Sequence, residues 1–517
     1  MGFSLQDLTL STLVVSLLGS LGGVSFGIDY GYWSGMLGMT QFKKDFGVYN
    51  SDTDTWGIPS SWQSAGSGAP IAALAVGALI SGAVGQQLGR LRVFRIGSVV
   101  VLIGVVIQSS SIRSFWQIVG GRIVTTIALG ILANAIPAYL AECAPLAIRG
   151  TVINCYQFSI SVGAILVNTG NWGMQGRTDQ WAYRMVIVLQ AVIPCFFLLG
   201  SFFIPESPRW LLGQGRQTEA QRSLEILRSN TRRDVIEREI QLILASEEEN
   251  RHQFNSSWVD CFKGSNLRRT LIATGVQCLQ QAQGNSFMAS YCVTFFEAIG
   301  FNDVYKITVL FYLCMVVGTA VCFYLPDRVG RRWLMISTAL IMGVCMFVVA
   351  VITGSSLAQN VHAMKGAIGA IFIWQFLMAI GWSSCVWIVT AEMPSLMIRE
   401  KSIMTATFCG FCVSIIVTFV NPYIQNAGYG NLQGRIGFLY GSFSFVSAIW
   451  TLLFLPETRN RNLEELDELF QNKVSVWKFP KYQTTGYGAQ LTEVEEVAHR
   501  GEDFSEKEAT VRFEDDA

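Results

Sequence analysis

The sequence predicts an all-α membrane protein: about twelve transmembrane helices arranged as two parallel six-helix halves. Three observations carry this. Apolar stretches of about 20 residues recur along the chain, each able to cross about 30 Å of hydrocarbon as a helix. Basic residues gather in every second connection between them. Short motifs repeat at a nearly constant offset. Composition agrees: of 517 residues 51% are apolar and 14% charged, with a mean hydropathy of +0.39. One aqueous core cannot hide that much apolar surface.

The first span, 9–37, follows a segment without basic residues, so it is expected to stay in the mature chain rather than be cleaved. Within it Gly23, Gly27, Gly31 and Gly35 form an i+4 ladder, the small-residue stripe that lets helices approach closely. Asp29 lies two residues from Gly27 and from Gly31, about 200° around the helix from each. It should therefore point away from the glycine face. A charged Asp at the bilayer midplane costs about 2.5–3.5 kcal/mol, which a proton or a cation can offset. Arg122, near the start of the fourth span, is the strong candidate partner.

Spans at 68–88, 93–112, 117–141, 151–173 and 185–204 complete an N-terminal half, residues 1–204. A polar stretch, 205–268, reads as a helical loop, with amphipathic or solvated helices over 217–250. The C-terminal half, 269–456, holds spans at 269–298, 306–326, 334–354, 366–390, 402–422 and 437–455. The tail, 457–517, is polar and reads as largely disordered, acidic from Leu491 onward.

Arg90, Arg92 and Arg95 lie between spans two and three; Arg328, Arg331 and Arg332 between eight and nine; Arg399 and Lys401 between ten and eleven. All are even-to-odd connections, so the positive-inside rule places both termini and the central loop in the cytoplasm. The halves are duplicates. Gly89 and Gly330 stand 241 residues apart, Glu142 and Glu392 stand 250 apart, and Pro205 and Pro456 stand 251 apart. Arg149 and Arg399 each follow their glutamate by seven residues.

Several classes are excluded. The 37 basic and 37 acidic residues cancel, leaving no footprint for nucleic acid. No nucleophile–base pair, phosphate loop or metal cluster is visible, so neither an enzyme nor a bound metal is expected. Cys409 and Cys412 have redox-like spacing but lie in an apolar span and read as small hydrophobes.

The motifs together resemble the sugar porter family of major facilitator transporters. They are "FGIDYGYWSG", "GRLR", "PAYLAECAPLAIRG", "PESPRWLL", "QQAQGNSF", "DRVGRR" and "PETRNRNLEELDELF", in order at the helix ends. The style is that of fungal sugar/H+ symporters, including the disaccharide permease branch. The resemblance implies the major facilitator fold, a plasma-membrane monomer surrounded by lipid, and transport of a small-molecule sugar, hexose or disaccharide. No cofactor is expected beyond a co-transported proton.

It also implies residue roles. Gln280, Gln281, Gln157 and Trp387 fall on family positions that contact sugar, and Asn285 joins them as a departure, "GNS" standing where hexose carriers usually read "GIN". Gln277, Gln280, Gln281 and Gly284 fall at i, i+3, i+4 and i+7, one helical face. An amide both donates and accepts, as a hydroxyl-rich ligand requires; the alternative use is helix–helix bonding. Trp387 would lay its ring on the sugar's C–H face, and Trp382 reads as core. Arg90, Glu142, Arg149, Asp327, Arg331, Arg332, Glu392 and Arg399 would form a cytoplasmic gate. Asp29 and Arg122 would couple transport to a proton, the alternative being a structural ion pair in a uniporter. A non-transporting sugar sensor, or a carrier of a sugar acid or polyol, are the remaining readings. The chain departs from the family pattern at Gln86, where an Asp is usual, and at Gly410 and Ser414, where asparagines are expected.

Overall fold

The computed structural model describes residues 9–51, 54–144, 149–229, 236–237, 240–241, 244, 258–301, 303–395, 398–426, 429–459, 461, 463–479 and 482. Among them ten helices are long and apolar enough to cross a membrane. In chain order the first six membrane helices are Leu10–Gly38, Ser60–Leu88, Arg90–Ser109, Phe115–Cys143, Arg149–Met174 and Trp181–Gly200. The seventh runs over Gly264–Gln280, a π-helical turn Gln281–Asn285, and Ser286–Ala298. The rest are Val304–Val321, Arg331–Thr353, Val361–Glu392 with a π stretch at Met378–Ser384, Arg399–Gln425 and Ile436–Phe454. The fifth and seventh complete the predicted set.

Differences from the sequence reading have local causes. The second helix begins at Ser60 rather than 68, because its first turns are Ser- and Gly-rich and carry little hydropathy. The tail is partly ordered: Leu463–Gln471 is a helix with Leu466, Leu469 and Phe470 buried. Its Asp467 pairs with the buried Arg269 at the start of the seventh helix. The acidic stretch from Leu491, and most of 217–250 beyond Leu227, lie outside the described residues.

The start of the first helix, the segment Gln217–Leu227, the Arg-rich connections and the helix Leu463–Gln471 share one end of the bundle, called here the terminal end. At the far end a short helix, Thr40–Phe46, and a two-stranded hairpin, Val48–Asn50 with Thr55–Gly57, join the first two membrane helices. The first helix packs on the fifth along its glycines. A Cβ on Gly27 would sit 1.9 Å from the Ile160 carbonyl oxygen, and one on Gly163 would sit 2.2 Å from that of Val24. Only glycine at both places allows this approach. Within the halves the second and third helices pack on the fourth, and the ninth on the twelfth. Across the halves the second meets the eleventh, the fifth meets the eighth, and the first meets the Ser286–Ala298 segment.

Candidate functional site

Asp29 is half-buried, and its Oδ1 is buried without a hydrogen-bond partner among the described residues. Arg122 is 6% exposed, yet among the described residues no ion pair joins the two, and its Nε, like Asp29 Oδ1, has no hydrogen-bond partner. Instead Arg122 Nη1 donates to the Gly66 carbonyl at 2.6 Å. Its guanidinium lies 4.0 Å from the Trp33 ring centroid and 5.2 Å from that of Tyr32. The sequence brought the two charges into one neighbourhood; the structure keeps them there without an ion pair, the arginine bonded elsewhere. Next to Asp29, Tyr30 crosses to the other half and donates to Asn285 Oδ1 at 3.2 Å.

The seventh helix is not regular. Gly284 has φ +102°, a left-handed conformation that breaks the helix after the glutamine pair, so Gly284 leaves the face predicted for it. Gln277 is buried and donates to Thr390 at 3.1 Å, which makes it interhelical glue. Gln280 donates to the Trp382 carbonyl at 2.9 Å. Gln281 is half-buried; it donates to Gln280 at 3.2 Å and accepts from Ser286 at 2.5 Å. Ser286 also bonds Ser414 of the eleventh helix at 2.7 Å. Asn285, Gln280 and Gln281 therefore sit together at the break, at the joint between the halves.

Gln157 is half-buried on the fifth helix and makes no hydrogen bond among the described residues. Trp387 is 41% exposed. Thr390, one turn further on, receives Gln277, so Trp387 lies on the same side of the tenth helix as that contact. Trp382 is fully buried and donates to the Met335 carbonyl at 3.1 Å, as a core residue does.

The terminal end carries one device twice. Arg90 grips Glu142 with two bonds, 2.8 and 3.2 Å. Arg331 meets Glu392 at 3.2 Å and Asp327 at 2.9 Å. Glu206 accepts the backbone N–H groups of Arg90 and Leu91, and Glu457 accepts those of Arg331 and Arg332. Gly89 and Gly330, at φ +89° and +94°, bring each helix start against its carboxylate. Arg332 instead donates to the Leu452 carbonyl and stacks on Trp477, and Arg399 donates to the Ala391 carbonyl. The Arg149 side chain lies outside the described residues. Among the described members every pairing stays within its own half, so no latch joins the halves here. Sequence reading did not single out Glu206 and Glu457, although the repeated "PES" and "PET" carried the signal.

A cavity of about 280 Å³ opens between the halves toward this end, lined by Gln86, Arg90, Asn134, Glu400 and Thr407 among others. The far end is closed across the halves. Lys43 pairs with Glu297 at 2.8 Å, Tyr291 donates to the carbonyls of Gln63 and Thr418, and Tyr305 donates to that of Gly35. This arrangement, shut at one end and cleft at the other around buried polar groups, suits a carrier that moves a small polar solute.

A family model described as "Sugar (and other) transporter" matches residues 15–470. A major facilitator-type transporter, ecdD, of Aspergillus rugulosus is 30% identical over 507 residues, covering 95% of this chain and 93% of that protein. The low-affinity glucose transporter HXT4 of Saccharomyces cerevisiae (strain JAY291) is 27% identical over 508 residues, covering 96% of this chain and 87% of the relative. Among solved structures, the inward open conformation of the E. coli xylose transporter XylE matches with a TM-score of 0.73 at 22% identity, covering 89% of this chain and 99% of that one. The proton:xylose symporter XylE bound to 6-bromo-6-deoxy-D-glucose matches at 0.72 and 22%, again over 89% and 99%. These two likenesses speak for the fold.

Proposed function

The chain belongs to the sugar transporter family, as an integral membrane protein of the major facilitator fold, and from that premise we propose that it imports a hexose or disaccharide by proton symport through alternating access. One observation carries the coupling: a carboxylate, Asp29, held inside the bundle without a hydrogen-bond partner for Oδ1, beside an arginine bonded elsewhere. A proton on Asp29 removes its charge and its claim on Arg122. Deprotonation restores the attraction. The solved symporter of like fold supports the same reading.

In this reading the terminal end is cytoplasmic, the membrane is the plasma membrane, and the protein works as a monomer. The structure then corresponds to a carrier open inward. Gln280, Gln281 and Asn285 at the break, with Gln157 and Trp387 on the facing helices, hold the sugar. The clusters around Arg90, Glu142, Arg149, Asp327, Arg331, Arg332, Glu392 and Arg399 re-pair across the halves when the cavity closes. Residues 1–204 and 269–456 rock as units, with 205–268 and the tail attached to the terminal end.

Facilitated diffusion along the same path is the competing reading. Purified protein in vesicles with an imposed proton gradient separates the two. Symport accumulates labelled sugar above its outside concentration, by roughly fifty-fold per proton at 100 mV. A uniporter stops at equality.

A further inference from the structure

We propose that Trp33, with Tyr32 and the Gly66 carbonyl, forms a resting site for the Arg122 side chain, occupied when Asp29 carries a proton, so that Trp33 is a positioning residue that sets how readily Asp29 is protonated. The inference rests on the symport reading for its purpose, but its geometry stands independently.

A guanidinium inside a membrane bundle needs a substitute for water wherever it sits. Paired with Asp29 it would have a carboxylate. Away from Asp29 it needs another host, and the structure shows one. The Trp33 face lies 4.0 Å from the guanidinium carbon and the Tyr32 ring 5.2 Å, within cation–π range. The Gly66 carbonyl accepts from Nη1 at 2.6 Å. The host is itself fixed. Trp33, 2% exposed, donates its Nε1 to Ser67 Oγ at 2.7 Å. Tyr32, fully buried, donates to Gln108 at 2.9 Å. Gly66 lies directly on the indole, since a Cβ there would be 2.8 Å from Trp33 Cζ2. Two aromatic faces and a carbonyl thus converge on one buried cation, while Asp29 Oδ1 and Arg122 Nε remain without hydrogen-bond partners.

The other groups around the pair do not offer the arginine a second anion. The first helix adds Tyr30, and the seventh adds Tyr291 and Cys292. The fifth helix presents Tyr156 on the glycine face. The second, third and sixth helices contribute uncharged Ser67, Gln108 and Gln190. Arg122 therefore divides its time between Asp29 and the aromatic site. Anything that weakens the aromatic site returns Arg122 to Asp29, where its charge opposes protonation.

The test titrates protons alone and needs no sugar. The carbonyl stretch of a protonated carboxylic acid is followed by infrared difference spectroscopy on the purified full chain against pH, in wild type, D29N, W33L, W33F and S67A. D29N should lose the titrating band. In W33L its midpoint should move toward acid by about one pH unit, the size of one buried cation–π contact. W33F, a weaker host that keeps the packing, should move it less in the same direction, and it serves where W33L does not fold. S67A, which frees the indole N–H but keeps the ring face, should move it less than W33L and in the same direction. An unmoved midpoint in both W33L and W33F overturns the proposal, as does a shift in S67A equal to that in W33L. A band that persists in D29N overturns both this proposal and Asp29 as the proton site. Shifted midpoints in a protein that accumulates no sugar would leave the aromatic site standing and remove symport.

Discussion

Glu206 and Glu457, 251 residues apart in the chain, do the same job: each carboxylate accepts the first backbone N–H groups of the third membrane helix of its half. Each also accepts the N–H of the residue that follows it, Ser207 or Thr458. A negative charge at a helix start satisfies donors that have no partner within the helix and opposes the positive end of its dipole.

Replacing Glu206 with Ala should therefore cost about 2 kcal/mol, since three N–H groups lose a charged acceptor. E457A should cost about as much, and the two losses should add, because the sites do not touch. Thermal unfolding of the detergent-purified protein measures this.

Gly27→Ala should reduce the yield of folded protein sharply. Its Cβ would fall 1.9 Å from the Ile160 carbonyl, so the first and fifth helices must separate. Gly120→Ala is the matched control: a Cβ there meets nothing within 4 Å, and it should leave the unfolding temperature unchanged or slightly raised.

Glu297→Gln should loosen the far end. The Lys43–Glu297 pair spans the halves at 2.8 Å with side chains 25% and 34% exposed. A pair that exposed contributes up to about 1 kcal/mol, so the population open at the far end should rise by no more than about fivefold. Hydrogen exchange in Ser286–Ala298 reports it, and salt should shrink the difference.

Gln281→Ala and Gln277→Ala should separate ligand contact from glue. Gln281 is half-buried at the helix break, where water can replace its bonds to Gln280 and Ser286, so its loss should raise KM by about tenfold and lower the unfolding temperature less than Q277A does. Gln277 is 2% exposed and bonded to Thr390, so Q277A should lower the unfolding temperature with little change in KM.

Asp29→Asn should abolish accumulation against a gradient while labelled-sugar exchange survives in part. Accumulation unchanged in this variant would remove Asp29 from coupling.

Much of this was legible in the sequence because it depends on period and offset. The i+4 glycines fix which face of the first helix meets a neighbour, and the repeated Gly-Arg and Pro-Glu motifs fix which helix starts are equivalent. Pairings were not legible. Arg90 choosing Glu142, or Arg399 turning to the Ala391 carbonyl, depends on helix tilt, which spacing does not encode. The break at Gly284 hides inside a run whose glutamines read as continuous helix. In the tail, Leu466, Leu469 and Phe470 fall at helical spacing, but acidic neighbours masked the pattern.

One consequence of that break concerns mechanical economy. Tyr291, Val293 and Glu297, which hold the far end shut, all lie beyond Gly284, while Gln277 and Gln280 lie before it. A twist confined to two torsions of a residue without a side chain would swing the outer door while Gln277 and Gln280 keep their bonds to the tenth helix. The seventh helix is in effect two parts on one swivel, and the Gln281–Ser286 bond that spans it is the linkage through which one part registers the turn of the other.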